Sequence, residues 1–216
     1  WQWINHVQGG GNHYMFDAQI SNDQEHVYGV GRYRSYATFY GQDSNVVNPY
    51  FAGSRDVFIT KSDTTGNYEW IITEGGTATD YALSITTDEF DDIYITGITT
   101  GTSFFDTVTV ENDATGDVFI AKYSPSGTLI WVKNFNGLNG VDVGTQLECD
   151  MNGHLYICGS QSGNFIYGQD TLIDAGYFFG KLDYNGNFLW CKGPENNTTY
   201  SASKMESLTI FDNKLY

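Results

Sequence analysis

A chain of 216 residues with 40% hydrophobic and 16% aromatic side chains has ample material for a packed core, which excludes a disordered segment. Its 26 acidic against 10 basic side chains give a net charge of -16, so a phosphate backbone is repelled and a nucleic-acid partner is excluded. No apolar run approaches the roughly 18 to 20 residues that span a bilayer, and no basic amphipathic stretch marks a membrane surface, so no membrane insertion is expected.

In chain order, the opening "WQWINHVQGG" reads as the end of an outer strand at Trp1 to Trp3. It lacks the basic and apolar pattern of a leader, so a removed signal or an excised segment is expected. The first unit then offers four strand-length runs: "FDAQIS", "VYGVG", "DVFITK" from Asp56, and a run closing at Trp70. The second repeats them as "YALSIT", "IYITG", "DVFIAKY" and "LIW", and the third as "VGTQLE", "LYICG", "GYFFGK" and "FLW". The chain ends in "KLY", at the Tyr of a fourth copy. These runs are short, rich in Val, Ile, Tyr, Phe and Thr, and bounded by turns such as "DMNGH", "SPSGT" and "DYNGN", which predicts strands and no helix.

The third and fourth runs align without a gap. Phe58, Phe119 and Phe178 correspond, as do Lys61, Lys122 and Lys181, then Gly66, Gly127 and Gly186, then Trp70, Trp131 and Trp190. The glycines fall where a tight hairpin needs positive φ, and the Trp side chains are placed to fill the space between neighbouring sheets. Apolar residues at successive positions in "DVFIAKY" require a sheet covered on both faces.

Four antiparallel strands recurring about every 60 residues predict an all-β fold, a β-propeller of four-stranded antiparallel blades. The expected organisation is one partial propeller over residues 1–216. Its blade repeats run roughly 12–70, 71–131 and 132–190, an incomplete fourth starts at 191, and partial blades lie at both ends. Such a half-ring leaves blade faces open, so the rest of a longer chain or a partner subunit is expected to cover them.

The pattern D-x-F-x-x-K, then G-x-x-x-W, then an acidic hairpin and Y-x-x-G resembles the SBBP-type β-propeller repeat of bacterial secreted and surface proteins. It covers nearly the whole chain in three copies, with Gly176 in place of the Asp at Asp56 and Asp117. The resemblance implies a propeller outside the cytoplasm, within large adhesin-like chains, and no shared catalytic residues.

Candidate chemistry is sparse. Cys158 takes the place of Val30 and Thr96, and Cys191 that of Ile71 and Val132, so they read with Cys149 as free cysteines of the strands. His6 and His13 have no metal-ligand spacing, and "TDEFDD" and "CDMNGH" lack the spacing of a calcium loop, so no metal and no cofactor is expected. Lys61, Lys122 and Lys181, with Asp56 and Asp117, recur in the repeats and so read as scaffold, with no catalytic residue among them.

What breaks the repeat is the first loop, "RYRSYATFYGQDSNVVNPYFAGSR", which holds all the arginines of the chain, Arg32, Arg34 and Arg55. With Tyr33, Tyr36, Phe39, Tyr50 and Phe51 it forms the candidate binding set, because Arg and aromatic residues favour interface hot spots and sugar platforms. Within it, "YGQDSNV" matches "YGQDTLI" and, loosely, "FFDTVTV", which predicts a small extra strand or turn in each blade.

The expected function is a non-enzymatic scaffold of a secreted or cell-surface bacterial protein, located outside the cell, mediating adhesion or protein-protein binding. Its partner is a protein or a glycan on the loop face. The alternative is a carbohydrate-binding or carbohydrate-active propeller, lectin or glycosidase-like, which for hydrolysis needs carboxylates roughly 5 to 10 Å apart. A quinone-dependent dehydrogenase is more distant: "DTTGNYEW" resembles its docking repeat but is one residue short.

Overall fold

The structure is a computed structural model that describes residues 6–35, 37–41, 46–47, 54–112, 115–138, 140–173, 176–194, 205–211 and 214–215. Every regular element among them is a strand. The first unit contains β1 (His6–Gly9), β2 (Tyr14–Ile20), β3 (His26–Tyr33), β4 (Ala37–Tyr40), β5 (Val46–Val47), β6 (Asp56–Asp63) and β7 (Tyr68–Gly76). The second contains β8 (Tyr81–Thr87), β9 (Ile93–Thr99), β10 (Thr102–Phe105), β11 (Val108–Glu111), β12 (Asp117–Tyr123) and β13 (Leu129–Phe135). The third contains β14 (Gly137–Leu138), β15 (Val143–Cys149), β16 (Leu155–Ser160), β17 (Asn164–Tyr167), β18 (Asp170–Ile173), β19 (Tyr177–Leu182) and β20 (Phe188–Lys192). A last short pair, β21 (Ile210–Phe211) and β22 (Lys214–Leu215), follows.

Each unit builds an antiparallel sheet in chain order: β2-β3-β6-β7, then β8-β9-β12-β13, then β15-β16-β19-β20. The fold is therefore all-β and repeats one four-stranded, propeller-like module. The fourth strands run beyond the repeated Trp, with β7 reaching Gly76.

Successive sheets pack face to face. Val30, Val57 and Ile59 of the first meet Ile85, Ile95 and Phe119 of the second in one core. On the other face of the second sheet, Val118 and Ile120 meet Leu147, Ile157 and Phe178 of the third. This explains why β9 is buried at every position and why its sequence does not alternate.

The repeated residues share one geometry. The Tyr of the second strand, the Lys of the third and the Trp of the fourth stand in register, as Tyr28–Lys61–Trp70, Tyr94–Lys122–Trp131 and Tyr156–Lys181–Trp190. Each Lys lies over its Tyr ring, 6.0, 4.8 and 4.9 Å from the centroid. Its ammonium reaches a carboxylate near the turns, Glu69 at 2.8 Å, Asp92 at 2.8 Å and Asp150 at 3.9 Å. The lysines are scaffold, as their recurrence predicts. Trp70 extends to the next unit and donates to the Pro125 carbonyl at 3.3 Å.

Gly127 and Gly186 each have two reasons to lack a side chain. Their φ angles are 85° and 73°. A Cβ at Gly127 would lie 3.3 Å from the Trp70 ring, and one at Gly186 would lie 2.7 Å from the Trp131 ring.

Both hairpins of each sheet use one kind of turn, in which a Ser or Asp at the first position accepts backbone amides and the fourth position has positive φ. Asp63, Asp88, Asp150 and Asp183 each take two amides on Oδ1. The fourth positions are Gln24, Gly66, Asp91, Gly127, Gly153 and Gly186. Gln24, at φ 62°, is exposed and carries the cost of a Cβ in the left-handed region. Gln24→Gly is thus expected to stabilise the fold by about 1 kcal/mol. The check is a higher urea midpoint at unchanged slope; an unchanged or lower midpoint would refute it.

The extra element predicted in each unit is a hairpin in the connection between second and third strands. β4-β5, β10-β11 and β17-β18 pair with β1, the end of β7 and β14, the chain entering the same unit. One Phe from each hairpin meets the repeated Phe of the third strand: Phe39 on Phe58 at 5.1 Å, Phe105 on Phe119 at 5.0 Å, and Phe165 on Phe178 at 4.5 Å. Buried carboxylates tie down the same connections. Asp80 accepts from Gly76 N, Thr100 N and Ser103 Oγ at 2.8, 3.0 and 2.8 Å, and Asp117 accepts from Gly137 N at 2.8 Å.

Candidate functional site: an arginine among three aromatic rings

The loop residues singled out in the sequence divide sharply in the structure. Tyr33 and Phe39 are fully buried. Tyr33 closes β3 with its hydroxyl bonded to Thr73, and burial pushes its pKa up. Phe39 packs edge-on against Phe58 and Tyr68 and anchors its hairpin. Arg55 is half-buried, and its backbone holds the crossover: its carbonyl accepts from Asp80 N at 2.8 Å. Arg34 is exposed. Tyr36, Tyr50 and Phe51 lie outside the described residues.

Arg32 is the member that the structure develops into a site. It sits next to last in β3, directly opposite Tyr14, the first residue of β2. Its guanidinium carbon lies 4.8 Å from the Tyr14 ring centroid, 5.7 Å from that of Phe16 and 5.5 Å from that of Tyr81. Tyr14 and Phe16 stack nearly parallel, at 5.9 Å and 8°, and Phe16 meets Tyr81 at 6.2 Å. Tyr81 opens β8, so the cluster spans two units where their first strands begin.

A bulge makes this arrangement possible. The β2-β3 register shifts between Met15 and Asp17, which brings Tyr14 opposite Arg32 where unbroken pairing from Asp17–Val30 would set Met15, and Phe16, two residues on, shares the face of Tyr14. The bulge recurs between Ala82 and Ser84 and between Gly144 and Gln146, where it serves packing. Asp17 Oδ2 accepts from Ile85 N at 3.0 Å, and Ser84 Oγ accepts from Leu147 N at 3.2 Å, linking one unit to the next.

The cluster itself does not recur. The pair Tyr14–Arg32 corresponds to Tyr81–Ile98 in the second unit and Val143–Ser160 in the third. Tyr14 and Phe16 remain 42% and 40% exposed, which core rings of a repeat do not. Arg32 has no ion-pair or hydrogen-bond partner among the described residues, and its Nε is buried without one. Three rings thus surround a cation that has no ion-pair partner among the described residues, with no nucleophile or base in the set.

A second nonrecurring feature is Glu74. Its carboxyl accepts from Tyr123 Oη at 3.0 Å and from Asp106 N at 2.8 Å, beside a cavity of about 220 Å³. Burial raises its pKa to about 7. Both oxygens are engaged across the first and second units, so Glu74 reads as a clamp. A cleft of about 590 Å³ lined by Met15, Gly29, Phe58 and Thr60 lies on the face of the first sheet away from the second unit. Among the described residues no group of three or more His, Cys, Asp or Glu is placed to hold a metal ion, and Cys149, Cys158 and Cys191 are free.

Sequence reasoning missed Tyr14, Phe16 and Tyr81. Unbroken pairing of "VYGVGR" with the preceding strand would set Met15 opposite Arg32, and the bulge that brings Tyr14 there leaves no trace in the sequence alone.

No protein-family model matches the chain. The chain is similar to an uncharacterised WD repeat-containing protein of Acanthamoeba polyphaga mimivirus, at 27% identity over 191 residues, covering 74% of this chain. It spans 13% of that protein's length. The comparisons do not single out the SBBP type. A WD-repeat relative and a repeated four-stranded antiparallel module together describe a propeller-type repeat protein.

Proposed function

We propose that this chain is a non-enzymatic propeller-type scaffold that binds a protein partner through the rim cluster of Tyr14, Phe16, Arg32 and Tyr81. The observation that carries the reading is an arginine without an ion-pair partner among the described residues, held among rings of which Tyr14 and Phe16 are exposed, at a place where the other two units have Ile98 and Ser160. Aromatic and Arg side chains on rigid strands are the types that dominate binding energy at protein interfaces. The similarity to a WD repeat-containing protein supports the same class. The proposed setting is secreted or cell-surface, supported by the resemblance to the SBBP-type repeat.

The test is cross-linking of intact source cells with a membrane-impermeant amine reagent, comparing the wild-type protein with Phe16→Ser. A protein adduct made by the wild type and reduced at least fivefold in the variant is expected. Adducts equal in both would refute the site. Adducts formed in lysed cells alone would refute the extracellular setting and leave the binding function standing.

A further inference from the structure

We infer that the Arg32 cluster recognises a protein segment that presents a carboxylate beside an aromatic or aliphatic side chain. This rests on the protein-binding reading above and specifies the chemistry of its partner.

The guanidinium defines the polar half. A free arginine carries five N–H donors in a planar fork and no acceptor. The rings of Tyr14, Tyr81 and Phe16 approach its carbon at 4.8, 5.5 and 5.7 Å, and a π face stabilises the positive charge without satisfying the N–H groups. Lys61 and Lys122 do find carboxylates, on Glu69 and Asp92. Arg32 has none among the described residues, although acidic side chains outnumber basic ones 26 to 10 in the chain. A planar acceptor with two oxygens matches the fork bidentately, which makes a carboxylate the complementary group.

Charge narrows the choice further. At -16 the chain repels polyanions such as a nucleic-acid backbone or a dense run of phosphates. An isolated carboxylate adds one negative charge beside the Arg32 guanidinium, which has no carboxylate partner among the described residues.

The rings define the apolar half. Tyr14 and Phe16 stack at 8° to each other and are 42% and 40% exposed, so they offer a flat surface beside the cation. An aromatic or branched aliphatic side chain next to the carboxylate covers that surface and removes water from the ion pair, which strengthens it. The site is preorganised, because Tyr14 and Arg32 are a register pair of two strands and not tips of a mobile loop.

The experiment is a display selection of random dodecamer peptides on the wild-type chain, with Arg32→Met as the counter-target. Methionine keeps an apolar stem and removes the fork, and far-UV circular dichroism and melting establish that the variant is folded. The expected result is enrichment of peptides with Asp or Glu within two residues of Phe, Tyr, Leu or Ile. By fluorescence anisotropy, an enriched peptide should lose at least tenfold in affinity on Arg32→Met. Without any change to the protein, the same peptide with its Asp or Glu replaced by Asn or Gln should also lose at least tenfold. Phe16→Ser supplies a second variant should Arg32→Met not fold. Peptides without an acidic residue, or acidic peptides bound equally by Arg32→Met, would overturn the inference while leaving protein binding intact. No enriched peptide, together with binding of an oligogalacturonate probe that Arg32→Met abolishes, would overturn both and establish a carbohydrate site. No binding of either probe would overturn the inference.

Discussion

Phe119→Ala is expected to destabilise the protein by about 3 to 5 kcal/mol, read as a lower urea midpoint at unchanged slope. Phe119 is fully buried in β12, within the core shared by the first two sheets. Its ring also meets Phe105 of the β10-β11 hairpin at 5.0 Å, so truncation opens a cavity at two interfaces at once. The core around it draws side chains from both of the first two sheets, which limits how far the site can collapse. The companion variant Phe105→Ala separates packing from ring pairing. In a double-mutant cycle the two should couple by about 0.5 to 1.5 kcal/mol. A loss below about 1 kcal/mol for Phe119→Ala would mean that the hairpin does not seal this core.

Phe119 also shows why so much of the fold was legible. It recurs with Phe58 and Phe178 because a repeated sheet has repeated holes to fill, and sequence periodicity records that directly. The same holds for Lys122 over Tyr94, a strand-register pair, and for Gly127 under Trp70, which meet where one unit packs on the next. The extra hairpin was visible as a short match between "YGQDSNV" and "YGQDTLI", although its pairing to the chain entering each unit was not.

The site was harder to read for a physical reason. Tyr33 and Arg32 are adjacent in sequence, but successive residues of a strand point to opposite faces, so Tyr33 enters the core while Arg32 reaches the rings. Phe39 looks like an exposed loop aromatic until its hairpin is folded over Phe58. Tyr81 lies 49 positions after Arg32 in the numbering and meets it through packing of one unit on the next, which no local pattern encodes.

Glu74 gives the second large effect, a stability that falls as pH rises through neutrality. Burial raises its folded pKa from 4.5 to about 7, and the charge of Asp106 pushes the same way, while the bonds from Asp106 N and Tyr123 Oη oppose the rise. In the unfolded chain the group titrates near its ordinary value. Below about pH 4.5 both states are protonated and the contribution is fully present; between 4.5 and 7 only the folded state holds the proton. Above 7 the folded state must bury a carboxylate, and the contribution is lost. The shift corresponds to about 3 kcal/mol of differential stability. Asp80 and Glu148 are also raised by burial and act in the same direction, so the wild-type profile alone does not isolate Glu74. The difference between wild type and Glu74→Gln does. Glutamine retains a hydrogen-bonding side chain between Tyr123 and Asp106 and removes the titration. Urea midpoints at pH 5, 6, 7 and 8 should show the wild type losing about 2 to 3 kcal/mol more than Glu74→Gln across that range. Parallel profiles would mean that the Glu74 carboxyl is solvated, and that the junction of the first two units opens to water at this point. The expected divergence instead makes the contact that Glu74 forms between the first two units more stabilising in mild acid than in base.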